Sequence, residues 1–394
     1  MDSELTIGTI EITDAEKRNV NEALDASRLT YGKFHRQFES EFATAHACGY
    51  GVFCNSGTSA LLLVLSALRD RRGWNARSEV IVPSVTFVAT INVVLQAGLK
   101  PVFVDVDPLT YNIDPKRIRA AISEATVAIM PVHLFGLAAD MTGIMAIAEE
   151  YGLDVVEDAC ESAGAEYQGR RVGSFGVASC FSTYAAHIVV TGVGGMVCTG
   201  EQWLADECRS RMAHGRDVAY LSIDDDDKLT DADFRDVVNR RFSFVRDGFS
   251  FRLTELEAAI GCAQMERLDS ILARRAAVAE KLAAALKPFP VRLPWVPTDR
   301  KHAWMMFPIV CHGGVDRDAL VMALETERIE TRLLMPVVSQ PWIIERCGDY
   351  RGKFPVADDL GCNGFYIGCH QQVTDGQVEH VAETFRKHFS GRMP

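Results

Sequence analysis

The chain has 394 residues, 48% of them hydrophobic and 24% charged, with a formal net charge of -12. That length exceeds one ordinary hydrophobic core, so a soluble globular protein with a large and a smaller domain is expected, not a fibrous or disordered one. The acidic balance argues against a nucleic-acid partner, which demands clustered Lys and Arg, and leaves any anionic ligand to be met locally.

In chain order, the opening MDSELTIGTIEITDAEK lacks the basic and apolar regions of a secretory signal, so a cytoplasmic location is expected. Residues 1–30 read as an arm with a short helical pattern, and GKFHRQFESEFATAHAC places Phe34, Phe38 and Phe42 on one helix face. From residue 50 the chain alternates. YGVFCNSGTSALLLVLSAL reads strand, turn, helix; SEVIVPSVTFVATINVVLQAG repeats it; KPVFVDVD, AIMPVHLFG and LDVVEDAC are further short strands. This alternation specifies an α/β fold, a mainly parallel sheet covered by helices. Its apolar stretches break before membrane-spanning length, so no membrane partner is expected. LSIDDDDKLTDADFRD reads as an acidic surface loop, solvated or holding a hard cation. LTELEAAIGCAQMERLDSILARRAAVAEKLAAALKPFP has the period of long helices, and KHAWMMFPIVC, DRDALVMALETERIETRLL and DGQVEHVAETFRKHF then read strand, helix and terminal helix. The expected division is an arm (1–30), a large domain (31–265), a linking helix (266–290) and a small C-terminal α+β domain (291–394). Eleven cysteines without a CxC or CxxC pair suit free thiols in a reducing compartment better than disulfides or a metal site.

Three features carry candidate chemistry. NSGTSALLLVL sets Gly57, Thr58 and Ser59 in a helix's first turn, which suits a phosphate or an ordinary N-cap. LDVVEDACES delivers Asp158 at a strand's carboxyl end, where open α/β sheets bind ligands; a pyridinium nitrogen, a helix N-cap or a salt bridge would each satisfy it. VPSVTFVAT ends a strand at Phe87, either a platform for a heteroaromatic ring or core packing.

These segments, together with VVEDACESAGAEYQGRRVGSFG, FSTYAAHIVVTGVGGMV and DGFSFRLTELEAAIG, resemble the DegT/DnrJ/EryC1/StrS family of pyridoxal phosphate (PLP) dependent sugar-modifying enzymes, from about residue 5 to the C-terminus. The resemblance implies fold type I, with a mainly parallel seven-stranded sheet in the large domain. It implies a homodimer with active sites at the subunit boundary, a nucleotide-linked keto-sugar substrate and an amino donor such as glutamate. It also implies that Gly57, Thr58, Ser59 and Ser182 hold the cofactor phosphate, Phe87 stacks on its ring and Asp158 meets its nitrogen. Glu161 stands where family members often have Gln or His near the ring oxygen, and Ser250 where many have an Asn that reaches the neighbouring subunit's phosphate.

His187 occupies the position of the Schiff-base lysine, and no lysine lies between Lys116 and Lys228. An imidazole forms no stable Schiff base with PLP, so the aminated form, pyridoxamine phosphate (PMP), becomes the expected working species. PMP condenses with a substrate ketone, and a base beside its C4' removes a proton. His187, titrating near neutrality, suits that role and then protonates a leaving hydroxyl. The pattern is similar to the PMP-dependent 3-dehydratases of NDP-4-keto-6-deoxyhexoses, of the type without an iron-sulfur cluster. Two departures stand out: Ile188 and Val193 replace the usual second His and Glu, which implies a drier site. Arg332 is a candidate for substrate anions or a surface salt bridge; His214 and Arg216 are weaker substrate-side candidates and His370 a weaker site candidate, all three suiting a structural role better than a catalytic one. Transamination with His187 or water as base, and a non-catalytic partner of a sugar-modifying enzyme, remain alternatives.

Overall fold

The computed structural model describes residues 4–217, 230, 235, 238–240, 242–334 and 336–390. The acidic stretch LSIDDDDKLTDADFRD lies outside these, apart from Thr230 and Arg235. Helix α1 (Asp14–Asp25) starts from a capping box in which Thr13 and Glu16 satisfy each other's backbone. Helix α2 (Lys33–Ala45) buries Phe34, Phe38 and Phe42, as their spacing predicts.

The alternation then runs β1 (Tyr50–Cys54), α3 (Gly57–Arg72), β2 (Glu79–Pro83), α4 (Val88–Gln96), β3 (Lys100–Val104), α5 (Pro115–Ala121), β4 (Thr126–Ile129), α6 (Met141–Tyr151) and β5 (Asp154–Asp158). Short β6 (Glu166–Tyr167) and β7 (Arg170–Arg171) precede β8 (Ala178–Ser182), β9 (Gly195–Thr199) and α7 (Gln202–Met212). In AIMPVHLFG only the first part is strand. Leu134–Gly136 forms a 3-10 turn in which Phe135 sits at φ +56, a strained position for a bulky side chain.

The seven-stranded sheet has the order β1-β9-β8-β5-β4-β2-β3, with β9 the one reversed strand. One face carries α3, whose run Leu61–Leu68 is buried together with Ile91, Val94, Leu204 and Cys208. The other face carries Phe38, Phe42, Ile144 and Ile147. A helix apolar on nearly all sides, as α3 is, requires cover on every side, and the sheet, α4 and α7 provide it.

Beyond this sheet, α8 (Glu255–Glu266) and α9 (Leu268–Leu286) meet at Arg267. They lead to β10 (Val291–Arg292), β11 (Arg300–Lys301), β12 (Met306–Cys311), α10 (Arg317–Thr326), β13 (Thr331–Leu333), α11 (Pro341–Cys347), α12 (Pro355–Asn363), β14 (Gly364–Gly368) and α13 (Asp375–Phe389). Strands β10, β12, β14 and β13 make an antiparallel sheet with its own core, including Leu282, Phe307, Phe365 and Phe385. The N-terminal arm bridges the two sheets. Leu5 pairs with Ile329, while a Cβ on Gly8 would stand 2.6 Å from the Ala186 backbone, so only glycine lets the arm pass the loop after β8. All eleven cysteines are free, with Cys362 exposed, and no helix of the described residues is long and apolar enough to cross a membrane.

Candidate active site

The carboxyl ends of β1, β2, β5 and β8 lie on one side of the seven-stranded sheet, where parallel sheets place their ligands. β1 leads into the N-terminus of α3. Ser56, rather than one of the residues singled out from sequence, is its cap: the Ser56 hydroxyl accepts from the Ser59 N–H at 3.0 Å and donates to the Ser59 hydroxyl at 3.0 Å. Gly57 is obligatory there, because a Cβ would lie 2.6 Å from Cys160 Sγ and 2.9 Å from Ser182 Cβ. This contact brings α3, the β5 turn and the end of β8 together. The helix N-terminus thus presents free amides and two hydroxyls on that side of the sheet, a setting for a phosphate.

Asp158 ends β5 and is 4% exposed. Its carboxylate accepts from the Thr90 hydroxyl at 2.8 Å and the Cys160 N–H at 3.2 Å, and no cation among the described residues pairs with it. Burial raises its pKa. A carboxylate held this way, short of a positive partner, fits a protonated ring nitrogen. Thr90 was not singled out from sequence; it lies one turn beyond Phe87 and is fixed in turn by the Thr86 hydroxyl at 2.7 Å. Phe87 itself is 68% exposed, so core packing is not its role.

Glu161 is half-buried and accepts the Phe135 N–H at 2.6 Å, which holds the strained turn in place. Burial first, then the nearby Asp158 carboxylate, push its pKa up to about 7. Tyr366 of β14 stands near enough for the Glu161 charge to raise its phenol. Glu161 therefore faces the small sheet as well as Asp158.

His187 lies in a loop closed by hydrogen bonds from Thr183 N–H to the Gly194 carbonyl and from Thr191 N–H to the Thr183 carbonyl. Its Nδ1 is 3.1 Å from Ser182 Oγ, its N–H donates to the Tyr184 carbonyl, and its own carbonyl accepts from Arg275 at 2.9 Å. Burial and the Arg275 charge push its pKa down to about 4, so the expectation of titration near neutrality is corrected: at pH 7 the imidazole is neutral. The departures at 188 and 193 differ in kind. Ile188 is 1% exposed and part of the core, whereas Val193 is 49% exposed.

The remaining candidates lie further out. Ser250 is exposed and bridges to Ala213. His214 adopts φ +67 beside Arg252, and Arg216 covers the rings of Phe242 and Phe244. Arg332 is exposed and pairs with Glu330, the salt-bridge alternative raised from sequence. His370 is buried beside Thr6 and Arg275, with Nδ1 unpartnered.

Comparison with known proteins adds lineage. A family model described as the DegT/DnrJ/EryC1/StrS aminotransferase family matches residues 10–386. GDP-perosamine synthase of Caulobacter vibrioides is 33% identical over 385 residues, covering 96% of each chain. Among solved structures, S. venezuelae DesV in complex with a ketimine intermediate is 29% identical, with a TM-score of 0.83 over 94% of this chain and 93% of that one. The E. coli GDP-4-keto-6-deoxy-D-mannose-3-dehydratase with bound hydrated PLP is 26% identical, with a TM-score of 0.88 over 98% of this chain and 100% of that one.

Proposed function

The chain belongs to the DegT/DnrJ/EryC1/StrS aminotransferase family, a PLP/PMP-dependent, sugar-modifying lineage of fold type I, and from that premise we propose that it is a dehydratase. The proposed reaction removes the C3 hydroxyl of a nucleotide-linked 4-keto-6-deoxyhexose, with His187 as acid and base. The observation that supports this reading is His187 just beyond the end of β8, its Nδ1 3.1 Å from Ser182 Oγ, at the position where the family resemblance implies a lysine.

PMP, when bound, supplies an amine for the keto group and a ring that takes up electrons. The chain supplies the rest. Gly57, Thr58, Ser59 and Ser182 would hold the phosphate, Phe87 would cover the ring, Asp158 would keep its nitrogen protonated and Glu161 would meet the ring oxygen. With Nδ1–H donating to Ser182 Oγ, His187 Nε2 keeps the lone pair a base requires. Having taken a proton, the same imidazolium is a strong acid for the leaving hydroxyl, because burial disfavours its charge. Cofactor, nucleotide-sugar and an amino donor such as glutamate are the proposed ligands. A homodimer is proposed, supported by exposed apolar side chains around the site, Tyr184 at 55% and Val193 at 49% among them. In it Ser250 contributes to the neighbouring phosphate site, and Arg332, His214 and Arg216 serve the substrate. A division into arm (1–30), large domain (31–265), linking helix (266–290) and small domain (291–394) is also proposed, supported by the separate seven-stranded and four-stranded sheets.

One observation favours a second reading, a sugar aminotransferase: the perosamine synthase is more similar in sequence than the dehydratase. Incubation with PMP and a GDP- or dTDP-4-keto-6-deoxyhexose separates the two by product mass. Loss of the hydroxyl with ammonia release supports dehydration; a retained amino group overturns it. A His187→Lys variant forming a reducible covalent bond with PLP, absent from wild type, would fix His187 at the reacting carbon.

A further inference from the structure

Arg275 in α9 is 0% exposed, yet no carboxylate among the described residues pairs with it. Its guanidinium donates to four backbone carbonyls instead: His187 at 2.9 Å, Trp304 at 3.0 Å, Met305 at 3.2 Å and Cys369 at 3.4 Å. The first belongs to the loop after β8. Trp304 and Met305 precede β12, and Cys369 follows β14, so one side chain joins the His187 loop to two strands of the small sheet. Burying a guanidinium without a counter-ion is costly, and carbonyl dipoles offset that cost only in part.

We infer that Arg275 is a positioning residue for His187, clamping its loop by the main-chain carbonyl and setting a fixed positive charge beside its imidazole. This rests on His187 being the proton carrier proposed above. The guanidinium stays charged at neutral pH, with its pKa lowered by burial to about 10. Among the described residues, the titratable or charged groups that face the imidazole are Arg275 from α9 and Tyr184 from the loop itself, ring to ring at 6.1 Å; the arm passes with uncharged Gly8 against Ala186. Arg275 acts also on His370, whose pKa burial and the same charge lower to about 4. Such a neighbour keeps the imidazole unprotonated at the start of a cycle and repels the proton again once it has been taken up, at the cost of a weaker base.

The test is the titration of 15N-histidine-labelled protein without cofactor between pH 5 and 8, with the His187 signal identified by a His187→Gln variant. Wild type is expected to show a neutral His187 throughout. Arg275→Met is expected to raise the midpoints of His187 and His370 by about a unit or more, into the observable range. Arg275→Lys keeps the charge but not the planar fork. It is expected to leave His187 neutral while amide hydrogen exchange in residues 184–191 speeds by tenfold or more. An Arg275→Met protein that is folded, with His187 still neutral at pH 5, overturns the inference. If that variant does not fold, Arg275→Lys decides: unchanged exchange in the loop overturns the clamp. Because no substrate is present, either result stands apart from whether the enzyme dehydrates or transaminates.

Discussion

Replacing Glu161 with Gln isolates a single charge. The amide oxygen can still accept the Phe135 N–H, now at 2.6 Å, so the strained turn keeps its anchor. In the folded chain the carboxyl titrates at about 7 against its ordinary 4.5. For an acid with a raised folded pKa, the unfolded state loses its proton first, so stability is lost as pH climbs from 4.5 through 7 and is intact below that window. The full difference corresponds to about 3 kcal/mol, and partial solvent access reduces it to about 1–2 kcal/mol. Linkage places only about a quarter of the penalty at pH 5 and all of it at pH 8. Urea denaturation of both cofactor-free proteins at the two pH values is the assay. The Gln variant should gain little at pH 5 and about 1–2 kcal/mol at pH 8. An equal gain at both, or none at either, would refute a buried, pH-dependent carboxyl at this position.

Gly57→Ala should cut PMP affinity by tenfold or more in a fluorescence titration, because its Cβ would enter the space of Cys160 Sγ and Ser182 Cβ and part the three elements that meet there. Thr90→Val removes the 2.8 Å hydrogen bond to Asp158 while keeping the shape. It should lower stability by about 1–3 kcal/mol in denaturant and weaken cofactor binding, whereas unchanged affinity would detach Asp158 from the ring nitrogen. Acidification should destabilise the protein between pH 6.5 and 4. His46 is wholly buried, donates from Nδ1 to Phe42 and accepts from Gly164, and has its pKa lowered to about 4. Since the unfolded imidazole takes the proton first, the His46 contribution is full above pH 6.5 and falls by up to about 3 kcal/mol by pH 4. A His46→Gln protein should show a flatter pH profile in thermal melts.

What was legible from sequence followed from local rules. The strand-helix alternation and the phenylalanine spacing of α2 are short-range patterns, and strand ends deliver chemistry where a parallel sheet must have it, so Gly57, Asp158 and Ser182 converge without knowledge of the rest. The reversal of β9 was not legible, because GMVCT is buried throughout and a strand buried on both faces carries no mark of direction. Nor was the pairing of Thr90 with Asp158, 68 residues apart, or of Arg275 with His187, 88 apart. Periodicity places a side chain on a face but cannot say which distant loop that face will meet. Ile188 shows the same limit from the other side. Beside His187 in sequence it reads as a lost polar group of the site, but the loop turns it into the core, where a second imidazole would have to be buried. That His187 stands where the family resemblance implies a lysine is visible as a letter, and its consequence is not. Whether an imidazole serves as a base at pH 7 depends on burial and on a guanidinium contributed by a helix that begins some eighty residues later.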